Sequence, residues 1–309
     1  MQLLTKAVRM LGQHGSAFVL RRAIWRLHYE RFQRIRNSRT AQSRRASKVI
    51  RFLDQEFQLH PSGKGLNEEL ALFGAHEPLS TEIFLRHLSP GDHIIDIGSN
   101  IGYFLLLEAR KVGSSGLLLG FEPVAEVYSV LQGNVQRSKH ANIQLFPCAI
   151  GAKDETAQFY ESEIPNWGSL VRDDRFLPRR STTVQVKQLD TLLQGMPGVR
   201  PKALRMDIEG GEVDVLNGAQ ATLREYKPCL FIEFHPFVLG WEPTLAALLG
   251  LRDLGYTSGA LVERTWDQPW MSKWMRERRS WFGSMDELLR TAGSKLTDSP
   301  FCMILQAGR

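Results

Sequence analysis

"HIIDIGSNIG", residues 93–102, sets an apolar run against an Asp and then places Ser and Asn between two glycines. A run of that kind reads as a buried strand whose end turns sharply and brings the backbone close to a partner. Working outward, similar apolar runs recur at 116–123, 142–151, 202–210 and 227–235, with helical stretches expected at 102–112, 124–138, 211–226 and 244–254. Short buried strands separated by helices predict an α/β class, doubly wound, Rossmann-like sheet that is mostly parallel. In such a sheet ligands sit beyond the carboxyl ends of the strands.

The flanks extend this frame. A helix over 80–88 is expected with Ser80 as its N-cap, stopped by the turn at 89–92. "FCMILQA", 301–307, would add a late antiparallel strand. Residues 267–289 suggest a helix with Trp270, Trp274 and Trp281 along one side. The insertion at 152–201 alternates like a strand over Thr183–Leu189 and carries Trp167 in a turn, either as a platform for a sugar ring or as a loop anchor.

Charge divides the chain into a basic helical extension, residues 1–75, and a main domain, 76–309. The net charge is +6, yet residues 1–50 hold twelve Lys and Arg against the single acid Glu30, so they carry +11 and the rest carries −5. Residues 17–36 form an imperfect amphipathic helix pattern, which suits peripheral contact with an anionic membrane. No recognisable nucleic-acid module accompanies the basic arm, which disfavours that partner. Three separated cysteines exclude a disulfide framework or a zinc motif and fit a reducing, cytoplasmic setting, at the inner face of a membrane if the arm binds one. No stretch of about 20 apolar residues is present for a membrane span.

The strand ends carry the chemistry. Asp96, Glu122, Asp207 with Glu209, and Glu233 with His235 all close apolar runs, an unusual placement unless those groups face a ligand. Gly98 and Gly102 flank a strand-to-helix turn whose amides and helix N-terminus would face an anion or a zwitterion's carboxylate. Glu122 follows Gly102 by 20 residues, the separation at which an acid on the next strand reaches a ribose diol. A dinucleotide fingerprint would place a glycine where Asn100 stands, and Asp96 would repel a pyrophosphate while suiting an ammonium or sulfonium group. These features together point to S-adenosylmethionine.

The motifs "IIDIGSNIGYF", "GFEP" and "ALRMDIEGGEVDVLNGA" resemble the FkbM family of S-adenosylmethionine-dependent methyltransferases, over about residues 76–240. That resemblance implies O-methylation of a hydroxyl on a sugar, a glycolipid or a related small molecule. It implies that Asp96, Gly98, Ser99, Asn100 and Gly102 hold the methionine end, Glu122 the ribose, and Cys148 with Ala149 the adenine edge. Asp207 is expected to serve both cofactor and catalysis, with Glu209, Glu233 and His235 as further catalytic candidates; Glu212 reads as a helix cap and Asn134 as packing. Departures from the family pattern are Ser99, Arg205 and Gly211, where Ala, Lys and Ala are usual.

Rival readings are weighed on the same residues. A divalent Mg²⁺ or Mn²⁺ suits the oxygen-rich set Asp207, Glu209, Glu233 and His235, but no ligand spacing supports one. A nucleotide-dependent oxidoreductase lacks its phosphate cradle, and a non-catalytic, membrane-tethered nucleoside-binding module is the alternative outside enzymes. Cys148 and Cys229 each follow Pro, as a nucleophilic cysteine does in some methyltransferases, but both lie in apolar strands with no neighbouring cation to make a thiolate.

Overall fold

The computed structural model describes residues 48–162, 167–172, 180–263, 279–292, 296–297 and 300–308. The amphipathic pattern at 17–36 and Trp270 and Trp274 fall outside them.

Alternating side chains explain the central sheet. In β3 (His93–Ile97), Ile94 faces one apolar layer and Ile95 and Ile97 the other, the period of two that a strand buried on both faces requires. The same division holds in β4 (Leu117–Phe121), β9 (Pro201–Met206) and β10 (Cys229–Phe234), which run parallel to β3. With β5 (Ile143–Phe146), β11 (Tyr256–Glu263), β12 (Arg279–Phe282) and β13 (Phe301–Ala307) they form an eight-stranded sheet of order β12-β11-β13-β10-β9-β3-β4-β5. β13 lies antiparallel between β10 and β11, as the terminal apolar run predicts. The chain leaves β3 toward β5 and returns beside β3 as β9, so the topological switch lies between β3 and β9, where such sheets open a ligand crevice.

Helices cover both faces. Helices Pro78–Leu85 and Tyr103–Val112 bury Ile83, Phe84, Leu105 and Ala109 against one, and Glu212–Gly218, Gln220–Tyr226 and Trp241–Asp253 bury Val215, Leu223 and Leu248 against the other. A third cluster joins β1 (Val49–Phe52), β2 (Gln55–Gln58) and helix Leu66–Phe73 to the helices at 103–112 and 125–138. Residues 48–75, which the charge pattern groups with the basic extension, are therefore built into the compact unit that starts at Lys48. Asn134 ties this cluster together: its Nδ2 donates to the carbonyls of Gln58 and Ile101, both at 2.9 Å, and its Oδ1 accepts from Gln58 N at 2.7 Å.

Four elements differ from the sequence reading. Pro147 has no N–H to extend a ladder. The run 142–151 breaks there, and β6 (Ala149–Gly151) leaves for a second sheet with β7 (Glu155–Glu161) and β8 (Arg180–Gln188), in the order β6-β8-β7. The helix expected from Ser80 begins instead at Pro78, with Glu77 before it at φ +42°; Pro suits a first helical position and Ser80 is buried inside the helix. The helix at 211–226 divides at Ala219. Within 267–289, residues 279–282 form β12, taking Trp281 into the sheet, and a helix follows at Met285–Ala292. Among the described residues no helix is long and apolar enough to cross a membrane.

Candidate active site

The turn after β3 closes on itself. Gly98 N and Ser99 N both donate to Phe121 O, at 3.0 and 2.9 Å, and Asn100 N donates to Glu122 Oε2 at 3.1 Å. Ile101 N donates to Asn100 Oδ1 at 2.8 Å, and Gly102 N to Ser99 O at 2.9 Å. All five amides of the turn are thus engaged within the protein. The sequence reading, in which these amides face an anion, is corrected on this point, and the turn makes no phosphate cradle. Gly98 has φ +80°, and a Cβ there would stand 2.5 Å from Asp207 O, so the ends of β3 and β9 touch through a position without a side chain.

Beyond this turn a cleft, partly open to solvent, is bordered by Gly98, Asn100, Glu122, Cys148, Ala149, Asp207 and Glu209 among others. Phe159 from β7, with Gly168 and Leu170 after it, closes the side that the insertion supplies. Trp167, at the start of that loop, is 41% exposed.

Glu122 lies at the end of β4, where each carboxylate oxygen accepts one backbone N–H, from Asn100 and from Val124 (2.9 Å). Burial outweighs those two hydrogen bonds and pushes its pKa up to about 7. Each oxygen retains capacity to accept from a ligand hydroxyl. Cys148 also borders the cleft, and burial raises its thiol to about 11, the behaviour of a packing residue.

Asp96, Ser99 and Gly102 do not border the cleft. Asp96 is wholly buried in β3, where its Oδ1 accepts from Arg205 Nη1 at 2.9 Å; Ser99 Oγ donates to Asp96 O at 3.0 Å. The reason is parity: Asp96 shares its sheet face with Ile94, which is covered by helices.

The four catalytic candidates converge, but at different depths. Asp207 and Glu209 border the cleft, with side chains 18% and 14% exposed; Glu233 and His235 are buried. His235 Nδ1 lies 2.8 Å from Glu212 Oε1, and its Nε2 lies 3.1 Å from Glu209 Oε2, an ion-pair contact without hydrogen-bond alignment. Burial alone would lower the imidazole pKa, but Glu209 and Glu212 outweigh it and hold the ring protonated. Glu212 Oε1 also accepts from Gly210 N at 2.9 Å, so a single buried carboxylate fixes both the ring and the turn. Glu209 itself sits at φ +54°, a strained setting for a side chain of its size and one that its surroundings must enforce.

Donor atoms of Asp207, Glu233 and His235 lie within 4.8 Å of one another. Arg205 Nη2, 3.5 Å from Asp207 Oδ2, already sets a cation beside this group. Sequence reasoning missed Arg205 as part of this region, together with His76 and Glu77. The available signal was charge inside apolar strands at matching register: Asp96 pairs directly with Arg205 across β3 and β9. Glu77 approaches the same place from outside the sheet, its carboxylate within 4.8 Å of donor atoms of Glu233 and Cys302.

The model of the methyltransferase FkbM domain matches residues 96–258, just over half of the chain. "Methyltransferase 1" of Beauveria bassiana (strain ARSEF 2860) is 30% identical over 143 residues, covering 40% of this chain and 57% of that relative. "Methyltransferase sdnD" of Sordaria araneosa is 26% identical over 198 residues, covering 53% and 74%. A crystal structure of methyltransferase FkbM from Methylobacillus flagellatus KT aligns at 20% identity with a TM-score of 0.39, over 65% of this chain and 49% of that one.

Proposed function

The chain belongs to the FkbM methyltransferase family, and from that premise we propose that it transfers a methyl group from S-adenosylmethionine to a hydroxyl oxygen of a sugar, glycolipid or related small molecule. The observation that carries this reading is the cleft wall at β3 and β4. Its turn has every amide engaged, so it offers nothing to a pyrophosphate, while Glu122 presents carboxylate oxygens where a ribose diol can donate to them. A phosphate-free nucleoside cofactor fits that wall, and an oxidoreductase dinucleotide does not.

Gly98, Asn100 and Asp207 would hold the amino-acid end, Glu122 the ribose, and Cys148 with Ala149 the adenine edge. Bound there, S-adenosylmethionine supplies an electrophilic methyl group. The chain's own residues must bring an acceptor oxygen into line, exclude water and take up a proton. Asp207 and Glu209 are the carboxylates on the cleft wall, so they hold the acceptor hydroxyl and receive its proton as the oxygen gains its new bond. Glu233 and His235 act behind them: the protonated His235 ring steadies Glu209 and does not serve as the base. Phe159 and Leu170 offer apolar surface on the cleft for a sugar ring or lipid-linked acceptor. The +11 charge of residues 1–50 would carry the chain to an anionic membrane face where such acceptors reside.

Titration calorimetry tests the cofactor. S-adenosylmethionine and S-adenosylhomocysteine should bind with micromolar affinity to the wild-type chain and much more weakly to Glu122→Ala, with no heat from NADH. Binding of NADH in place of the sulfur nucleosides, or of neither by folded protein, would sink the reading. Once an acceptor is found, Asp207→Asn should lower kcat by about 10²–10⁴.

A further inference from the structure

Arg205 is the most unusual side chain in the sheet: a guanidinium 2% exposed, next to the last residue of β9. Burying a charge is unfavourable unless its surroundings are built to pair it. Here they are. Nη1 donates to Asp96 Oδ1 at 2.9 Å, and Nη2 lies 3.5 Å from Asp207 Oδ2. The guanidinium carbon stands 3.7 Å from the centroid of the Phe104 ring and 5.5 Å from that of Phe231, contacts that favour a weakly hydrated, planar cation over an ammonium.

The neighbouring acid leaves that charge undivided. Glu108 is buried, and neither of its oxygens has a hydrogen-bond partner among the described residues. Burial, then the charge of Asp96, raise its pKa well above the carboxylate range, against a smaller opposing pull from Arg205. Glu108 is therefore neutral, and Arg205 is shared between Asp96, behind the turn, and Asp207, on the cleft wall.

We propose that Arg205 is a positioning residue for methyl transfer: anchored by Asp96 and by the Phe104 ring, it fixes the Asp207 carboxylate toward the cleft, so Asp96 acts on bound cofactor without touching it. The inference rests on the cleft being the S-adenosylmethionine site. It replaces the direct contact that the sequence suggests for Asp96 with an indirect one running through a single planar fork.

A double-mutant cycle read by calorimetry tests it, using S-adenosylmethionine and, as a probe lacking the amino-acid end, adenosine. Asp96→Asn and Asp207→Asn should each weaken S-adenosylmethionine about tenfold, and the double variant should also lose about tenfold rather than a hundredfold. Adenosine affinity should stay within about twofold in all three, which a general loss of structure would not permit. In an Arg205→Met background neither Asn substitution should have further effect. Should Arg205→Met fail to fold, the cycle of near-isosteric Asn variants still decides. Multiplying effects, an Asp96→Asn variant that binds as wild type, or parallel loss of adenosine would overturn the inference. A folded wild-type chain that binds neither probe would instead overturn the reading of the site, and the inference with it.

Discussion

The two walls of the cleft are built on opposite principles. On the β3–β4 side the backbone is fully engaged, and Glu122 is the carboxylate that reaches the surface of the wall. On the β9–β10 side Asp207, Glu209, Glu212, Glu233, Arg205 and His235 crowd together, and their backbone carries strain at Glu209. A wall closed on itself recognises by shape, because it cannot adapt. A wall of coupled charges can shift protons, which methyl transfer to a hydroxyl needs and cofactor recognition does not.

The comparison breaks most severely where the turn after β3 packs on the end of β9. Gly98→Ala places a methyl group 2.5 Å from the Asp207 carbonyl oxygen and asks Ala to adopt φ +80°. The nearest obstacle is backbone, with Ile208 Cγ2 next at 2.9 Å, and the positive φ alone costs about 1–2 kcal/mol. S-adenosylmethionine affinity should fall by at least about 100-fold, roughly 2.7 kcal/mol, as measured by calorimetry on protein with unchanged far-ultraviolet dichroism. Binding within a few fold of wild type would mean that the turn is pliable and that shape does not govern this wall.

How much of this was legible in the sequence follows the same division. "HIIDIG", "GFEP" and "MDIEG" announce their places because a doubly covered parallel strand must be a short apolar run, and a carboxylate that closes such a run stands out. Glu122 could be placed by spacing because the β3–helix–β4 unit has a fixed length. Asp96 shows where spacing fails: its position in the chain is one step from the turn, but strand parity sends its side chain to the helix-covered face. Arg205 was silent because its partner Asp96 is 109 residues away, and His76 and Glu77 because their segment carries no strand pattern. His76 Nδ1 meets Glu69 at 2.8 Å and its Nε2 meets Glu77 at 3.3 Å, with both acids in loop and helix segments that carry no strand pattern. At 279–282 amphipathic spacing favoured a helix, whereas pairing with β11, a contact invisible in local periodicity, made a strand.

A milder test sharpens the contrast through pH. Glu122 has a folded pKa of about 7, above its ordinary value of 4.5, because burial outweighs its two backbone donors. A raised acid stabilises the fold fully below its unfolded pKa, and that contribution is lost as pH rises through the folded value. Stability should therefore decline between about pH 4.5 and 7, by up to ~3 kcal/mol, and Glu122→Gln should flatten the decline in urea titrations. Cofactor affinity should run the other way, rising several-fold as pH passes about 7, because the ionised carboxylate is the better acceptor for ribose hydroxyls. If the two slopes share a sign, Glu122 does not face the diol.

The smallest effect is expected at Cys148, and it separates shape from chemistry on the cofactor wall. The thiol borders the cleft, so proximity alone would allow it to be a nucleophile. Burial raises its pKa to about 11, and the weaker opposing pull of Lys187 leaves it a neutral thiol at physiological pH. Burial likewise raises the Cys229 thiol, to about 12. Nucleophilic thiols require the opposite environment, a cation or helix N-terminus that lowers the pKa. Cys148→Ala should therefore alter S-adenosylmethionine affinity by no more than about threefold, the consequence of removing one sulfur from an adenine edge, and should leave turnover on any acceptor intact. Abolished turnover with intact cofactor binding would place covalent chemistry on the wall assigned here to recognition, and the division between the two walls would have to be redrawn around a thiolate.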